Sequence, residues 1–458
     1  MPQLLYISVH PIMKDLKLPP KPQEIIDAFT NNDFECFAVG GAVRDLLMNK
    51  LRGDWDFTTS ARPEEILKIF PENSFYENQF GTVGVKVSEE DTEVVYEITT
   101  YRTETGYSDK RHPDTIEWGR TIEDDLKRRD FTINAIAFDG RKLVDPHEGQ
   151  KDIEKKLIRA VGEPTKRFEE DALRLIRAVR IATQLGFTIE EQTLLAIQQN
   201  ASLIKTVANE RIREELIKLL SSEYPADGVL LLKQTGLLYQ IFPEFEDAFA
   251  TDQKSPERHH KYDVGTHLIE SLRNTPSKDP IVRLATLLHD IGKPKTFAKT
   301  PEGVTTFYNH EIVGTTIVKD IAERLRFSKR DIGRLIRFVR WHQFSVDEHQ
   351  TDSAIRRIIK NIGRENLQDM LDLRTGDRLG GGARETSWRL ELFKKRLDEV
   401  QQQPFLVTDL KINGKDVMET LKITPGPKVG EILNGLFNDV VEGKIKNERE
   451  ELLSQLQK

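Results

Sequence analysis

The spacing of hydrophobic positions along the 458-residue chain changes near residue 145. Before that point, short runs alternate apolar and polar residues, as in TVGVKV, VVYEITTY and FTINAIAFD. Mixed with short amphipathic stretches, they predict a small α/β sheet domain. Beyond it the period becomes helical. DALRLIRAVRIATQLG, which stops on Gly186, and ANERIREELIKLLSS both place apolar residues three and four apart. A second helical region covers 262–378, and a third closes the chain. The expected fold class is α+β, an N-terminal mixed α/β head followed by an extended all-helical neck, body and tail. The expected segments are an N-terminal extension at 1–24 ending in the Pro-rich LPPKPQ, a head at 25–147, a helical neck at 148–256, a third domain at 257–378 and a tail at 379–458. The sequence has no internal repeat and no low-complexity tract.

Composition narrows the function classes. Hydrophobic residues make up 38% and charged residues 31%, and no apolar run approaches the ~18 residues a membrane span needs. The first residues lack the basic and apolar regions of a signal peptide. Cys36 is the single cysteine, which excludes an internal disulfide and a thiolate zinc cluster and points to a reducing cytoplasm. Any metal must then be held by His and carboxylate. The net charge of −7 hides a local excess, since Arg324 to Arg364 holds eleven Lys/Arg against four Asp/Glu. Arg330, Arg334 and Arg337 fall on one helix face there, a candidate phosphate-tracking stripe or, more plainly, a solvated face.

Residues 40–57, GGAVRDLLMNKLRGDWDF, carry the first chemical signal. On a strand, Asp54 and Asp56 point to one side while Trp55 and Phe57 point to the other. Two hard oxygen ligands side by side suit Mg²⁺, which favours a few carboxylates plus substrate phosphates. Gly40 and Gly41 let the backbone approach a triphosphate, and the following helix turns its N-terminal N–H groups to the anion. The stretch therefore reads as half of a nucleotidyl-transfer site.

GGAVRDLL and GDWDFTTSARPEEIL resemble the signature of the class II nucleotidyltransferases of the polymerase β superfamily, the tRNA CCA-adding enzymes and bacterial poly(A) polymerases. The likeness continues in order through EDDLKRRDFTINAIAFD, DPHEGQKDI, RFEEDALRLIRAVRIATQLGF and ANERIREEL, over roughly residues 35–220. It implies that Asp54 and Asp56 are the catalytic Mg²⁺ ligands. It also implies that Gly40, Gly41, Arg44, Arg128, Arg129, Asp130, Asn134, Asp171, Arg174, Arg177 and Arg180 bind the nucleotide. Glu97, alternating with Tyr96 and Ile98, is a candidate third carboxylate. The RRD element, Arg128 to Asp130, would read the ribose and hold the triphosphate.

Asp171 and Arg174 match the family's base-selecting element. Cytosine and adenine both present an exocyclic amine beside an unprotonated ring nitrogen, so a carboxylate and a guanidinium match them and mismatch U and G. Spaced three apart, the two residues are read as neighbours on one helix. The stretch TTYRTETGYSDKRHPDTIEW resembles the flexible loop that the family uses to switch from CTP to ATP. The implied activity is addition of CCA to tRNA 3′ ends. An A-adding enzyme or a poly(A) polymerase would share almost the same head. The rivals from other classes are a phosphohydrolase whose head docks RNA, and a non-catalytic RNA-binding protein.

Seven of the ten histidines lie in residues 259–349. THLIESL, LATLLHDIGK, YNHEIVGTT and RFVRWHQF resemble the HD phosphohydrolase family. That likeness implies a divalent metal on His267, His289, Asp290 and a closing carboxylate, Asp377 in preference to Asp352, with His310 and His342 open to a second metal. The tail, with NGKDVM and PGPKVG, resembles the C-terminal segment with which bacterial CCA-adding enzymes hold tRNA.

Overall fold

Seven strands form the head sheet: β1 (Cys36–Val39), β2 (Asp56–Thr59), β3 (Ser74–Tyr76), β4 (Thr82–Glu89), β5 (Thr92–Thr100), β8 (Ala137–Phe138) and β9 (Leu143–Val144). A separate antiparallel pair, β6 (Arg102–Thr105) and β7 (Thr115–Trp118), leaves the end of β5. The computed structural model describes residues 16–50, 54–76, 81–89, 92–105, 115–253, 262–344, 351–401 and 407–457. The centre of the stretch expected to form the CTP-to-ATP loop, 106–114, lies outside the described residues, as does most of the expected N-terminal extension. The sheet runs β3-β4-β5-β2-β1-β8-β9. β2 pairs antiparallel with β1 and parallel with β5, which sets Asp56 opposite both Val39 and Glu97. Alternation then does what the pattern implied, since Trp55, Phe57, Tyr96 and Ile98 are buried while Asp54, Asp56 and Glu97 are exposed.

The extension ends sooner than its prolines suggested. A helix spans Pro20–Thr30, and Leu18, Ile25, Ile26 and Phe29 enter the head core. Proline is tolerated in a first helical turn, where its missing N–H has no partner to lose, so LPPKPQ marks a helix start and not a linker.

Contact density divides the chain into two compact units. One holds the described residues up to Phe245 together with Arg324–Arg326, and the other holds Glu246–Glu323 and the residues from Phe327. Head and neck thus share one unit, and the division falls earlier than the expected boundary at 256. In the neck, Leu173–Leu185 packs on Asn209–Leu220 through Leu175, Ile176, Val179, Ile212, Leu216 and Leu219.

The second unit is helical. Val264–Arg273, Pro280–Leu288, Lys329–Trp341 and Leu367–Gly380 surround the histidine cluster, and the tail adds a separate core around Val417, Leu436 and Leu452. The arginine stripe is absorbed into this packing. Arg334 reaches Asp279 at 2.8 Å and Asp369 at 2.9 Å, and Arg337 reaches Glu365 at 3.4 Å. Two of its three cations are therefore committed to carboxylates within the chain.

Candidate active sites

In the first unit the Gly-Gly turn comes directly off β1. Gly40 has φ +76 and ψ −140, a conformation that essentially only glycine adopts. A Cβ there would stand 3.7 Å from Asp56 Oδ2 and 3.4 Å from an Arg129 terminal nitrogen. The turn, the D-x-D carboxylate and the RRD guanidinium thus share one small volume. Asp56 reaches the surface, but the protein crowded around its carboxyl withholds enough water to raise it above its ordinary range; Asp54 adds to the shift, while Arg129 and Arg177 oppose it. A divalent cation is the natural counter-charge for such a pair.

The polar residues behind the turn form a continuous chain. Arg44 donates to Asn134 Oδ1 at 2.8 Å and to Asp45 at 2.9 Å. Asn134 donates to Asp130 Oδ1 at 3.2 Å, and the backbone N–H of Phe131 reaches the same oxygen at 2.8 Å. Arg177 grips Asp130 Oδ2 with Nε at 2.9 Å and Nη2 at 2.6 Å. Arg180 donates to buried Glu215 at 2.7 Å. Four donors fill the acceptor positions of the Asp130 carboxylate. Its geometry therefore fits an anchor between the RRD turn and the neck better than a ribose acceptor. Burial opposes its charge, but Arg177 outweighs that and holds the carboxyl well below the usual range.

Asp125, which the sequence reading passed over, is fully buried and holds both arginines of the RRD element, Arg128 at 2.7 Å and Arg129 at 3.2 Å. Its signal was its place three and four residues before them on a helix.

The pair expected to select the base departs from its expected geometry. Asp171 and Arg174 do not lie on one helix, because Pro164–Glu170 ends and Asp171 is extended, with φ −137 and ψ 104, before Leu173–Leu185 begins. The two do not pair. Arg211, from ANERIREEL, reaches Asp171 Oδ2 at 3.1 Å. Arg174 meets Glu170 at 2.7 Å and donates to the carbonyls of Arg167 and Arg128, each at 3.0 Å. Those bonds use three of its five N–H groups, and Asp171 Oδ2 keeps a lone pair beside Arg211. An acceptor and a donor thus remain available in the break between two helices.

In the second unit, close helix approach builds the histidine cluster. A Cβ at Gly380 would lie 2.4 Å from the backbone nitrogen of Ser271, and one at Gly376 would lie 2.4 Å from Thr275 Oγ1. These glycines bracket Asp377 and bring Leu367–Gly380 against the helix of His267. His267 Nε2 lies 3.2 Å from Asp377 Oδ1 and 3.4 Å from Asp290 Oδ2, and His289 Nε2 lies 3.5 and 3.3 Å from the same two oxygens. On the other side of Asp290, Oδ1 faces His310 at 3.1 Å and His342 at 3.4 Å. Asp352 is elsewhere, paired with Arg396 at 2.7 Å.

Donor chemistry fits metal binding. His289, His310 and His342 each donate from Nδ1 to a backbone carbonyl at 2.7 Å, which fixes a proton on that nitrogen and turns Nε2, the metal-binding nitrogen, toward the centre. Two overlapping groups, His267–His289–Asp290 and Asp290–His310–His342, can each hold an ion. Asp290 Oδ1 is buried without a hydrogen-bond partner. Burial works against charge on His289, but Asp290 and Asp377 outweigh it and raise the ring to about 10, so without an ion its Nε2 takes up a proton that a metal would displace. Positive charge is thus favoured at the centre. Lys293, the last residue of HDIGK and not singled out from sequence, supplies one charge at 2.5 Å from Asp290 Oδ2.

Comparisons with known proteins find relatives for both units. The poly A polymerase head domain matches residues 36–159, the HD domain 259–370, and tRNA nucleotidyltransferase domain 2 matches 392–456. The CCA-adding enzyme of Ligilactobacillus salivarius is 34% identical over 440 residues, 96% of each chain. An A-adding tRNA nucleotidyltransferase of Deinococcus radiodurans is 38% identical over 345 residues, 72% of this chain and 77% of that one. The crystal structure of the Bacillus stearothermophilus CCA-adding enzyme in complex with CTP superposes with a TM-score of 0.67 at 28% identity, covering 96% of this chain and 98% of that one. With a head, neck, helical body and tail that follow these relatives along nearly the whole chain, the protein belongs to the family of CCA-adding and A-adding tRNA nucleotidyltransferases.

Proposed function

We propose that the chain adds C, C and A to tRNA 3′ ends from CTP and ATP, in the cytoplasm, with Mg²⁺ in the head. The observation that carries the reading is the register that sets Asp56 beside Glu97 on adjacent parallel strands, under the Gly40 turn and next to Arg129. In the reaction the 3′ hydroxyl oxygen bonds to the α-phosphorus, the bond to the leaving pyrophosphate breaks, and the hydroxyl proton departs. Asp54 and Asp56 would hold the ions, with Glu97 as the third carboxylate. When bound, Mg²⁺ supplies activation of the hydroxyl and neutralises charge on the departing pyrophosphate. Arg128 and Arg129, held rigid by Asp125, take the triphosphate oxygens. Asp130, Asn134, Arg44, Arg177 and Arg180 keep that wall in register with the neck. Asp171 accepts from the exocyclic amine and Arg174 donates to the ring nitrogen of C or A.

Complete CCA addition is favoured over addition of C alone because the interval between Asp56 and Asp130 carries the stretch that resembles the CTP-to-ATP loop, while an A-adding enzyme would share almost the same head and is the nearest alternative. Incubating the protein with tRNAs lacking CCA, CA or A, supplying each nucleotide and sequencing the ends tests this. A strictly A-adding product profile would replace the reading with its nearest alternative. Asp54→Asn or Asp56→Asn is expected to abolish addition while tRNA binding persists, since each change removes a ligand charge and little surface. Substantial activity in either variant would remove the head from its assigned role.

The second unit supports a reading of its own. His267, His289, Asp290 and Asp377 would hold one divalent ion, and His310 and His342 a second sharing Asp290. The site would hydrolyse a phosphate ester, with a water oxygen bonding to phosphorus and the alcohol leaving with a proton. The observation favouring it is the set of Nε2 nitrogens turned inward by Nδ1 bonds to backbone carbonyls.

A further inference from the structure

One cross-strand row of the head sheet runs from the Gly40 turn to the sheet edge. Val39, Asp56, Glu97, Gly84 and Phe75 are successive partners on β1, β2, β5, β4 and β3. Residues directly opposite one another share a face, so Asp56, Glu97 and Phe75 lie on one side of the sheet. No side chain of β4 stands between Glu97 and Phe75 in that row, because Gly84 has none. With ~4.8 Å between neighbouring strands, Phe75 lies about 10 Å from Glu97 and about 14 Å from Asp56.

Packing does not explain the apolar residues on this face. The opposite face of the same strands carries the head core through Val83, Val85, Tyr96 and Ile98, and the water side of a half-buried antiparallel sheet is ordinarily polar. Here Phe75 is 39% exposed, and Val95, on the same face two residues before Glu97, is 43% exposed. An exposed aromatic on an edge strand is also a liability for edge-to-edge association. The patch is continuous with the carboxylates of the proposed transfer site, and the geometry of transfer selects its occupant. In an in-line displacement the attacking and leaving oxygens lie on opposite sides of phosphorus. The Gly40 turn and Arg129 flank Asp56 on the β1 side. A triphosphate held by them puts the leaving pyrophosphate there, and the attacking hydroxyl must then arrive over β5, from the side of Phe75.

We infer that Phe75 is a stacking platform for the tRNA 3′ end: its ring takes the terminal base and thereby sets the terminal 3′ hydroxyl beside Asp56 and Glu97. The inference rests on the nucleotidyl-transfer reading of the head and adds where the acceptor nucleotide sits. One nucleoside spans the gap between ring and carboxylates, with its base at one end and its 3′ oxygen at the other. The chemistry suits a growing end. The terminal base changes with every addition, so a contact that serves each cycle cannot read one hydrogen-bonding edge, whereas stacking accepts any base because every base has a π-face. Selection is thus left to Asp171 and Arg174, which face the incoming nucleotide, and Phe75 holds the acceptor without regard to its identity.

The test uses the full chain and two tRNA minihelices lacking CCA, one with an ordinary terminal nucleotide and one whose terminal ribose keeps its 3′ hydroxyl but carries no base. Single-turnover addition of the first C is measured on both acceptors for wild type, Phe75→Ala, Phe75→Leu and Phe75→Trp, with thermal melts to compare folding. Wild type should prefer the base-bearing acceptor, and Phe75→Ala should narrow that preference by about 10- to 100-fold, the worth of one base stack, by slowing that acceptor alone. Phe75→Leu keeps apolar bulk on the strand and loses the π-face, so it should follow Phe75→Ala even if the alanine variant melts early. Phe75→Trp should keep the wild-type preference. The CTP concentration for half-maximal rate should be the same in all four. If Phe75→Ala and Phe75→Leu slow both acceptors equally, or leave the preference intact while wild type adds C, the platform is wrong and the transfer reading stands. If the two variants instead demand more CTP with the preference intact, the ring serves the incoming base and the inference is overturned. A wild type that adds nothing to either acceptor would bring down the transfer reading, and the inference with it.

Discussion

At the scale of single residues, the break between two neck helices is the most consequential feature. The proposal that Asp171 and Arg174 read the base comes from their residue types, since a carboxylate and a guanidinium suit the Watson–Crick edges of C and A, but their placement was not legible. Spacing of three reads as one helix turn, and nothing local announced that Asp171 would be extended. Arg211 explains the outcome. Lying forty residues away in sequence, it holds Asp171 in place from the opposing helix, and such a partner is invisible to local spacing. Asp171→Ala should raise misincorporation of UTP and GTP relative to CTP and ATP by about one to two powers of ten, the worth of ~1 to 3 kcal/mol of base discrimination. Arg174→Ala should act on the same preference and non-additively. Single-turnover incorporation of all four nucleotides on tRNA ending before the first C and before the A checks both. Equal loss of rate for every nucleotide, with the preference intact, would mean that the pair serves only the neck.

At the scale of elements, both sites depend on contacts between segments far apart in sequence. The Asp130–Arg177 pair ties the RRD turn to the neck. Arg177→Gln leaves a buried carboxylate with only Asn134 and a backbone N–H, and should cost about 2 kcal/mol, between exposed and fully buried pairs. The sign with pH follows from the depressed carboxyl. Its contribution is complete above the unfolded value of about 3.9 and is lost as pH falls through the lower folded value. The stability gap between wild type and variant, read from urea melts, should therefore be constant from pH 7 to about 5 and close in stronger acid. In the second unit, Gly380→Ala drives a methyl into Ser271 and should cost about 1–3 kcal/mol. It should also lower the Mn²⁺ retained after gel filtration, because Asp377 lies on the displaced helix. Gly430→Ala, in a helix with open space around it, should instead stabilise by about 0.4–1 kcal/mol. The histidines and HDIGK were readable as a ligand set. The glycines that let their helices meet were not, since a glycine inside a helical pattern looks like a weakness until its neighbour is known.

At the scale of the whole molecule, the α/β head and the switch to helices were legible because the hydrophobic period itself changes. The compact units were less so. Head and neck read as separate segments from that change of period, but the RRD turn and the neck helices share one hydrogen-bonded chain, and the division falls at Phe245. Since the residues proposed for nucleotidyl transfer all lie in the first unit and the histidine cluster in the second, the two proposed chemistries should be separable. His289→Ala combined with Asp290→Ala removes the shared ligand and a ring of the first set, and leaves Lys293 buried without its carboxylate. An uncompensated buried charge costs several kcal/mol, so the second unit should melt earlier and lose its stabilisation by added Mn²⁺, which for a ligand at a hundred times its Kd is worth about 2.7 kcal/mol. CCA addition, measured at a temperature where both units of the variant remain folded, should stay within about twofold of wild type, and metal-dependent ester hydrolysis should vanish. The milder Asp290→Asn keeps the shape of the side chain and should show the same split. If addition and hydrolysis fall together in Asp290→Asn while the melt is unchanged, the cluster acts on nucleotidyl transfer, and the second unit has no chemistry of its own.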